Sequence, residues 1–406
     1  MKGGSSRLSR RDLMQIAWSA AAASALSACS SKGDAPPPRR SSEPLRVGSA
    51  PVEPDRTTWW VAACLSSTGS DAAIARDAQA GLELALANAN AGGAVAGRAL
   101  KGAFADDASS AANTGPRALE LVARENVVAL LGHAPLERAS ALATVARDRS
   151  MPLVLAAATD LTAPSDFVYR VCFTDDFAAG AAARFAVKSL GKTKLGLVYD
   201  PANATSGASA AAFKKEALAL GASFPLERTV HSGDAADLTS AAGAMKGFAP
   251  DLVYAPLGRA DVVTLAESAR SAGVPPELLL APDPASTTAT ADLTRANGIY
   301  QISHFAVDAP WTACKEFSAA YQAANGRAPT AIAALCHDAA LLIARALLKL
   351  DASAVSPATV RAELDKLTGV EGATGVLDVG NDRVAAHAIV VTQLASSGPR
   401  YVASVS

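Results

Sequence analysis

From Trp59 onward the hydrophobic pattern alternates between two kinds of segment. Seven short runs are apolar at nearly every position: Val61 to Leu65, Leu100 to Phe104, Val127 to Leu131, Leu153 to Ala157, Leu195 to Tyr199, Leu252 to Ala255 and Leu278 to Leu280. Runs of this length read as strands buried on both faces. Between them lie longer Ala/Leu-rich stretches with polar residues gathered on one side: Ala75 to Ala91, Thr114 to Glu125, Leu136 to Asp148, Phe177 to Leu190, Ser206 to Leu220, Leu238 to Gly247 and Asp261 to Ala272. These predict amphipathic helices. Strand then helix, repeated, predicts an α/β fold of doubly wound parallel sheets.

Two further extended stretches divide the chain. Val168-Tyr169-Arg170-Val171 runs ahead of Asp175-Asp176, and Gly298 to Phe305 has the same character. They predict crossovers between two lobes, the first formed by 57–172 plus 305–375 and the second by 173–304 plus 376–406. Helices over Trp311 to Asn325 and Ile332 to Leu350 would complete the first lobe, and Ala388 to Thr392 would be one more strand. The helices lean on alanine, which favours close packing.

Composition narrows the function classes. The 406 residues are 50% hydrophobic and only 18% charged, enough for a large core, and the net charge of −1 draws neither nucleic acid nor an anionic membrane surface. Aromatic residues are 5% of the chain, which argues against a cleft lined by many rings.

The N-terminal pattern has no fold period at all. Arg10-Arg11 precede an apolar run from Leu13 to Ala28, about sixteen residues and short of the ~20 that span a bilayer. The arrangement reads as an export signal over residues 1–28. Leu26-Ser27-Ala28-Cys29 resembles the bacterial lipobox, which implies lipid attachment at Cys29, and Ser9-Arg10-Arg11 resembles a twin-arginine signal. Residues 29–56, with Pro36-Pro37-Pro38 at the centre, read as a disordered tether. Export places Cys64, Cys172, Cys314 and Cys336 in an oxidising compartment. Cys314 and Cys336 each lie in a helical pattern and are open to pairing, whereas Cys64 and Cys172 sit inside apolar strand runs, as buried free thiols do.

Doubly wound sheets bind ligands beyond the carboxyl ends of their strands. There the sequence offers Ser66-Ser67-Thr68-Gly69, Gly132-His133 and Ala158-Thr159-Asp160 in the first lobe, and Asp200, Leu257-Gly258-Arg259 and Asp283 in the second. Hydroxyls, small residues and carboxylates suit a small zwitterion. Ser66 and Asp160 also read as helix caps, His133 as a packed or turn histidine, and Asp106-Asp107 as a solvent-facing acid pair. No nucleophile elbow, zinc motif, Walker loop or dinucleotide fingerprint is present, so neither an enzyme nor a cofactor or metal is expected. Cys336-His337-Asp338 looks reactive on paper, but neighbours on a helix point about 100° apart, so the three are not expected to converge.

Thr68-Gly69, Gly81 in an Ala/Leu helix that ends Ala91-Gly92-Gly93, Gly97-Arg98, Asp106-Asp107, Leu131-Gly132-His133, Ala157-Ala158-Thr159 and Pro282-Asp283 follow in order. Over Val61 to Thr392 this series resembles the leucine/isoleucine/valine-binding type of periplasmic solute-binding protein. The resemblance implies the type I periplasmic binding fold, two lobes on a multi-strand hinge that close over an amino acid or similar solute, and delivery by a monomer to the membrane subunits of an ABC permease. It implies Ala157 and Thr159 on the solute carboxylate and Asp283 on its ammonium group; Ser67 and Thr68, after the first strand, are further ligand-binding candidates. The chain departs from the family where rings are common, at Ile74, Ala204 and Gly258, and where some members carry a disulfide, at Ser109 and Pro135. These departures sustain a second reading, an envelope lipoprotein of the same fold that regulates a partner enzyme or sensor, as activators of cell-wall synthases do.

Overall fold

The structure is a computed structural model that describes residues 57–93, 95–133, 136–157, 166–282, 294–385 and 388–406. The export signal, Cys29 and the tether lie outside them.

Five strands form the first sheet: β1 (Thr58–Leu65), β2 (Ala99–Asp106), β3 (Val127–Gly132), β4 (Leu153–Leu155) and β5 (Val168–Arg170), in the order β2-β1-β3-β4-β5 with every pairing parallel. The continuous apolar run of β1 hides a period of two. Val61, Ala63 and Leu65 enter the core under α1 (Ala72–Ala91), while Ala62 and Cys64 enter the opposite core under α2 (Ala111–Val122) and α3 (Leu136–Asp148). Helices on both faces leave no solvent side for polar positions. Cys64, Cys172, Cys314 and Cys336 are all buried, and none of them is in a disulfide among the described residues.

The second sheet runs β14-β13-β10-β9-β8-β6-β7. Its parallel part comprises β6 (Lys194–Tyr199), β7 (Ser223–Thr229), β8 (Leu252–Tyr254), β9 (Leu279–Pro282) and β10 (Tyr300–Ser303). On one face lie α4 (Asp175–Arg184), continued by a π turn over Phe185–Ser189, and α5 (Ala204–Ala219); on the other lie α6 (Ala235–Phe248) and α7 (Arg259–Ser271). β13 (Ile389–Ala395) and β14 (Gly398–Val405) add antiparallel to β10 and to each other, so this sheet is mixed.

Five elements escaped the sequence pattern. β7 and β14 are edge strands, exposed or half-buried at nearly every position, and such strands have no continuous apolar run to betray them. α10 (Pro357–Leu364) is too short to show a period, although Ser356-Pro357-x-Thr359 builds a capping box at its start. A small hairpin of β11 (Val370–Gly372) and β12 (Gly375–Leu377) follows.

α8 (Thr312–Asn325) and α9 (Ala331–Leu347) return the chain to the first lobe, where α9 lies against α1. The contact depends on Gly81. A Cβ there would come 2.0 Å from the Ala333 carbonyl oxygen, so only glycine lets the two backbones approach this closely. α8 also reaches the second sheet, with Trp311 edge-on to Tyr401 of β14 at 5.9 Å.

The chain passes between the sheets three times, and connectivity fixes which ends face the crossings. The first crossing leaves the carboxyl end of β5 and the second leaves the carboxyl end of β10. Because the neighbouring strands are parallel to these, the carboxyl ends of both sheets face the hinge. The third crossing enters β13 from the hinge side, which is why β13 must run antiparallel to β10, with Val390 opposite Ser303.

The crossings hold one another. The Arg170 amide donates to the Arg383 carbonyl (2.8 Å) and the Ala385 amide to the Arg170 carbonyl (2.7 Å), which joins first to third. The Phe173 amide donates to His304 Nε2 at 3.3 Å, and the two rings stack with centroids 3.5 Å apart, which joins first to second. Accepting at Nε2 requires a neutral imidazole, and enclosure holds the His304 pKa down to about 3.

The unfolded chain protonates this histidine near the ordinary value of about 6.5, so between the two values the unfolded state binds more protons and stability falls as pH falls. The native chain should therefore lose stability relative to His304→Leu by up to about 1.4 kcal/mol per pH unit between about pH 6 and about pH 4. Urea unfolding of both proteins across that window checks it. A difference that does not vary with pH would contradict the neutral, enclosed ring.

Candidate functional site

In the first lobe the loop after β1 meets the loop after β2. Ser66 is buried and its hydroxyl donates to Asp107 Oδ1 at 2.6 Å. Asp107 is only 1% exposed and also accepts from the Ser109 amide (3.1 Å) and the Thr114 hydroxyl (2.8 Å). Contrary to the sequence expectation, Asp107 does not face solvent, and Ser66 is not a helix cap but a strut between two loops. The neighbouring Asp106 does lie at the surface, gripped by the Thr68 hydroxyl (2.6 Å) and amide (3.2 Å). The Thr68 hydroxyl and then the Ala108 amide draw the Asp106 pKa down to about 2.

Arg138, in the first turn of α3, completes the arrangement. It is 5% exposed, and its guanidinium donates to Ser66 Oγ and Asp71 and lies 3.5 Å from Asp107 Oδ1. A buried cation at a helix N-terminus opposes the dipole and needs acid partners. That was the one sequence signal for this cluster, and the pattern of apolar runs passed over it. Ser109 lies in the loop after β2. Its hydroxyl accepts from the Asp71 amide (3.1 Å) and donates to the Thr68 carbonyl (3.2 Å), a non-covalent tie between the same loops. Gly69 between them has φ +88°, where a side chain would be strained and would strike Ser109.

The other sequence candidates are dispersed around this floor. Ser67 is exposed beside Thr68, and Ala157 follows β4, half-buried against the first-lobe core. Thr159, Asp160 and Asp283 lie outside the described residues, although β9 ends at Pro282. His133 is buried just after β3 with no partner on either ring nitrogen among the described residues, and burial pushes its imidazole pKa down. Ile74 packs on the first-lobe core, Ala204 opens α5 and Gly258 caps α7.

The second lobe repeats the use of a strand-end carboxylate. Asp200, after β6, accepts from the Ser232 hydroxyl (2.5 Å) and amide (3.0 Å) and from the Ala202 amide (2.9 Å), led by the hydroxyl in holding its pKa down. In each lobe the acid organises the loops at the mouth.

Cys336-His337-Asp338 does not converge as a set of three. His337 Nδ1 and Asp338 Oδ1 do lie 2.9 Å apart, so two adjacent helix residues meet here. Cys336 takes no part: it is fully buried in the first-lobe core and burial pushes its thiol pKa up. Asp338 also accepts from the Ala373 and Thr374 amides (2.8 Å each) and the Thr374 hydroxyl (2.6 Å), so it pins the turn between β11 and β12. Among the described residues no group of three or more His, Cys, Asp or Glu is placed to hold a metal.

Removing Arg138 should leave Asp107 buried with no counter-charge. Arg138→Met is expected to cost about 3 to 5 kcal/mol in chemical denaturation. Arg117→Met, which breaks an exposed pair with Glu120, should cost below about 1 kcal/mol. Equal losses would show that the Arg138 cluster does not hold the loops.

Comparison with known proteins agrees with this geometry. No curated protein sequence matches the chain. Among solved structures it is similar to the leucine-binding protein LivK of Thermotoga maritima, with 24% identity and a TM-score of 0.68 over 86% of this chain and 98% of the other. It is similar to LivJ of Streptococcus pneumoniae in complex with isoleucine, with 24% identity and a TM-score of 0.70 over 86% and 99% of the two chains. A solute-binding protein of R. palustris in complex with benzoate shares 19% identity, with a TM-score of 0.67 over 86% and 96%. Likeness at these identities establishes the two-lobed fold. Residues 58–399, nearly the whole described chain, match the family profile described as periplasmic binding protein, and the chain belongs to that family.

Proposed function

We propose that the protein is an extracytoplasmic solute-binding lipoprotein of an ABC importer, tethered through lipid on Cys29 and closing its two lobes over a small carboxylate-bearing solute such as an amino acid. The observation that carries this reading is that the carboxyl ends of both sheets face one three-stranded hinge, in a chain of the periplasmic binding protein family. Loops at strand carboxyl ends supply the donors that ligands use in doubly wound sheets. Closure would bring the second-lobe mouth, organised by Asp200, over the first-lobe floor of Ser66 to Gly69. Isoleucine and benzoate, held by two proteins of the same fold, are both carboxylates. In this reading Ser67, Thr68, Ala157 and Thr159 take the carboxylate and Asp283 takes the ammonium group. The process needs no covalent chemistry, and the chain acts as a monomer delivering to permease membrane subunits.

The absence of a ring at Ile74, Ala204 and Gly258 favours one alternative, a lipoprotein that keeps the fold but regulates an envelope partner through its surface. A thermal-shift screen of amino acids, aromatic acids and short-chain acids separates the two. A ligand present at about 1,000 times its Kd should stabilise the chain by about 4 kcal/mol and raise Tm visibly. Asp283→Ala should abolish the shift with amino acids and spare that with simple acids. No shift with any solute would favour the regulator. Mass spectrometry of the membrane-extracted protein should find acyl chains on Cys29 as the first residue; an unmodified Cys29 would refute the anchor.

A further inference from the structure

In the first lobe, α1, α8 and α9 border an open cavity of about 600 Å³. That is the size of a small-molecule site. Its apolar walls are made of Phe317, Leu341 and a series of alanines, so the helices meet without filling the space between them. The polar lining is unusual. Glu316, Arg345 and Glu371 are all exposed, and among the described residues none of them forms an ion pair or a side-chain hydrogen bond, even though opposite charges border the same cavity.

His337 supplies a buried polar group to the same wall. It is 8% exposed, and its ring is held on two sides, by Asp338 at Nδ1 and by Phe317 with centroids 4.7 Å apart. Asp338 is itself locked by the turn between β11 and β12, so the imidazole is fixed in orientation, and its Nε2 has no hydrogen-bond partner among the described residues. A fixed imidazole beside charges of both signs that no described residue pairs is a preorganised set of polar groups open to a ligand.

We propose that this cavity is a second small-molecule site, separate from the space between the lobes, for a zwitterion with an apolar body. Glu316 and Glu371 take the ammonium group, Arg345 takes the carboxylate, Nε2 of His337 adds a hydrogen bond, and Phe317 and Leu341 pack against the body. Two acids and one base at the rim demand at least one cationic centre in the ligand, and a simple anion leaves both glutamates unmet.

L-phenylalanine is a suitable probe, with hydrocinnamate and phenethylamine each lacking one of its charges. Calorimetric titration of the full chain should show a binding step that Ala320→Trp, which fills the cavity from a half-buried helix position, removes. Arg345→Ala and the double variant Glu316→Gln/Glu371→Gln, all at exposed positions, should each weaken that step by about tenfold or more, as should loss of either charge from the probe. A step between the lobes, if phenylalanine also binds there, persists in all these variants and responds to Asp283→Ala, so the two sites fail or survive independently. The proposal is overturned if no binding sensitive to Ala320→Trp occurs up to about 10 mM, or if the charge variants leave the step unchanged.

Discussion

Everything in this molecule that bears on ligand binding depends on the first crossing, Arg170 to Phe173, being bonded to both of the others. Arg170 shares two backbone hydrogen bonds with the third crossing, and Phe173 is joined to His304 of the second by an amide-to-imidazole bond and a ring stack. Three strands linked in this way bend together while resisting shear, the property that a hinge between rigid lobes requires. The neutral state of His304 is part of the joint, since a proton on Nε2 would remove the acceptor that the Phe173 amide uses.

The lobes on either side are made rigid by close approach of backbones more than by bulky side chains. Alanine-rich helices lie tightly on their sheets, and Gly81 lets α1 and α9 come closer than any side chain would allow. At the mouths, where the chain is irregular, rigidity comes from buried carboxylates instead. Asp107 and Asp200 each collect donors from two loops, and Arg138 balances the charge in the first lobe. Such buried pairs add little net stability against apolar replacements, but breaking one is costly, so their effect is to specify a single loop arrangement.

The internal strands and the long helices were legible because burial on both faces writes a continuous apolar run, and one-sided burial writes a helical period. Where an element is half-exposed or short, neither signal exists. β7 is Ser-Phe-Pro-Leu-Glu-Arg-Thr on the sheet edge, and α10 is held in place from outside, by the Tyr169 hydroxyl donating to Asp365 (2.7 Å) and the Arg361 carbonyl (3.2 Å). Among the described residues the strand-end candidates do follow their strands, yet their division of labour was not readable. Asp106 and Asp107 are adjacent and identical in type; Asp106, the last residue of β2, is half-buried, whereas Asp107 in the loop beyond it is buried among Ser66, Thr114 and Arg138.

The sequence by itself determined the alternation of strand and helix and the two-lobed α/β class, because each is a local pattern of apolar and polar residues. Only the tertiary structure decided that β13 runs antiparallel, that Arg138 closes a cluster with Ser66, Asp71 and Asp107, and that His337 meets Asp338 beside a cavity. Those outcomes join residues tens to hundreds of positions apart, or depend on how a side chain turns once its neighbours are packed. Buried charge is tolerated only where such partners converge, and convergence is a property of the folded chain.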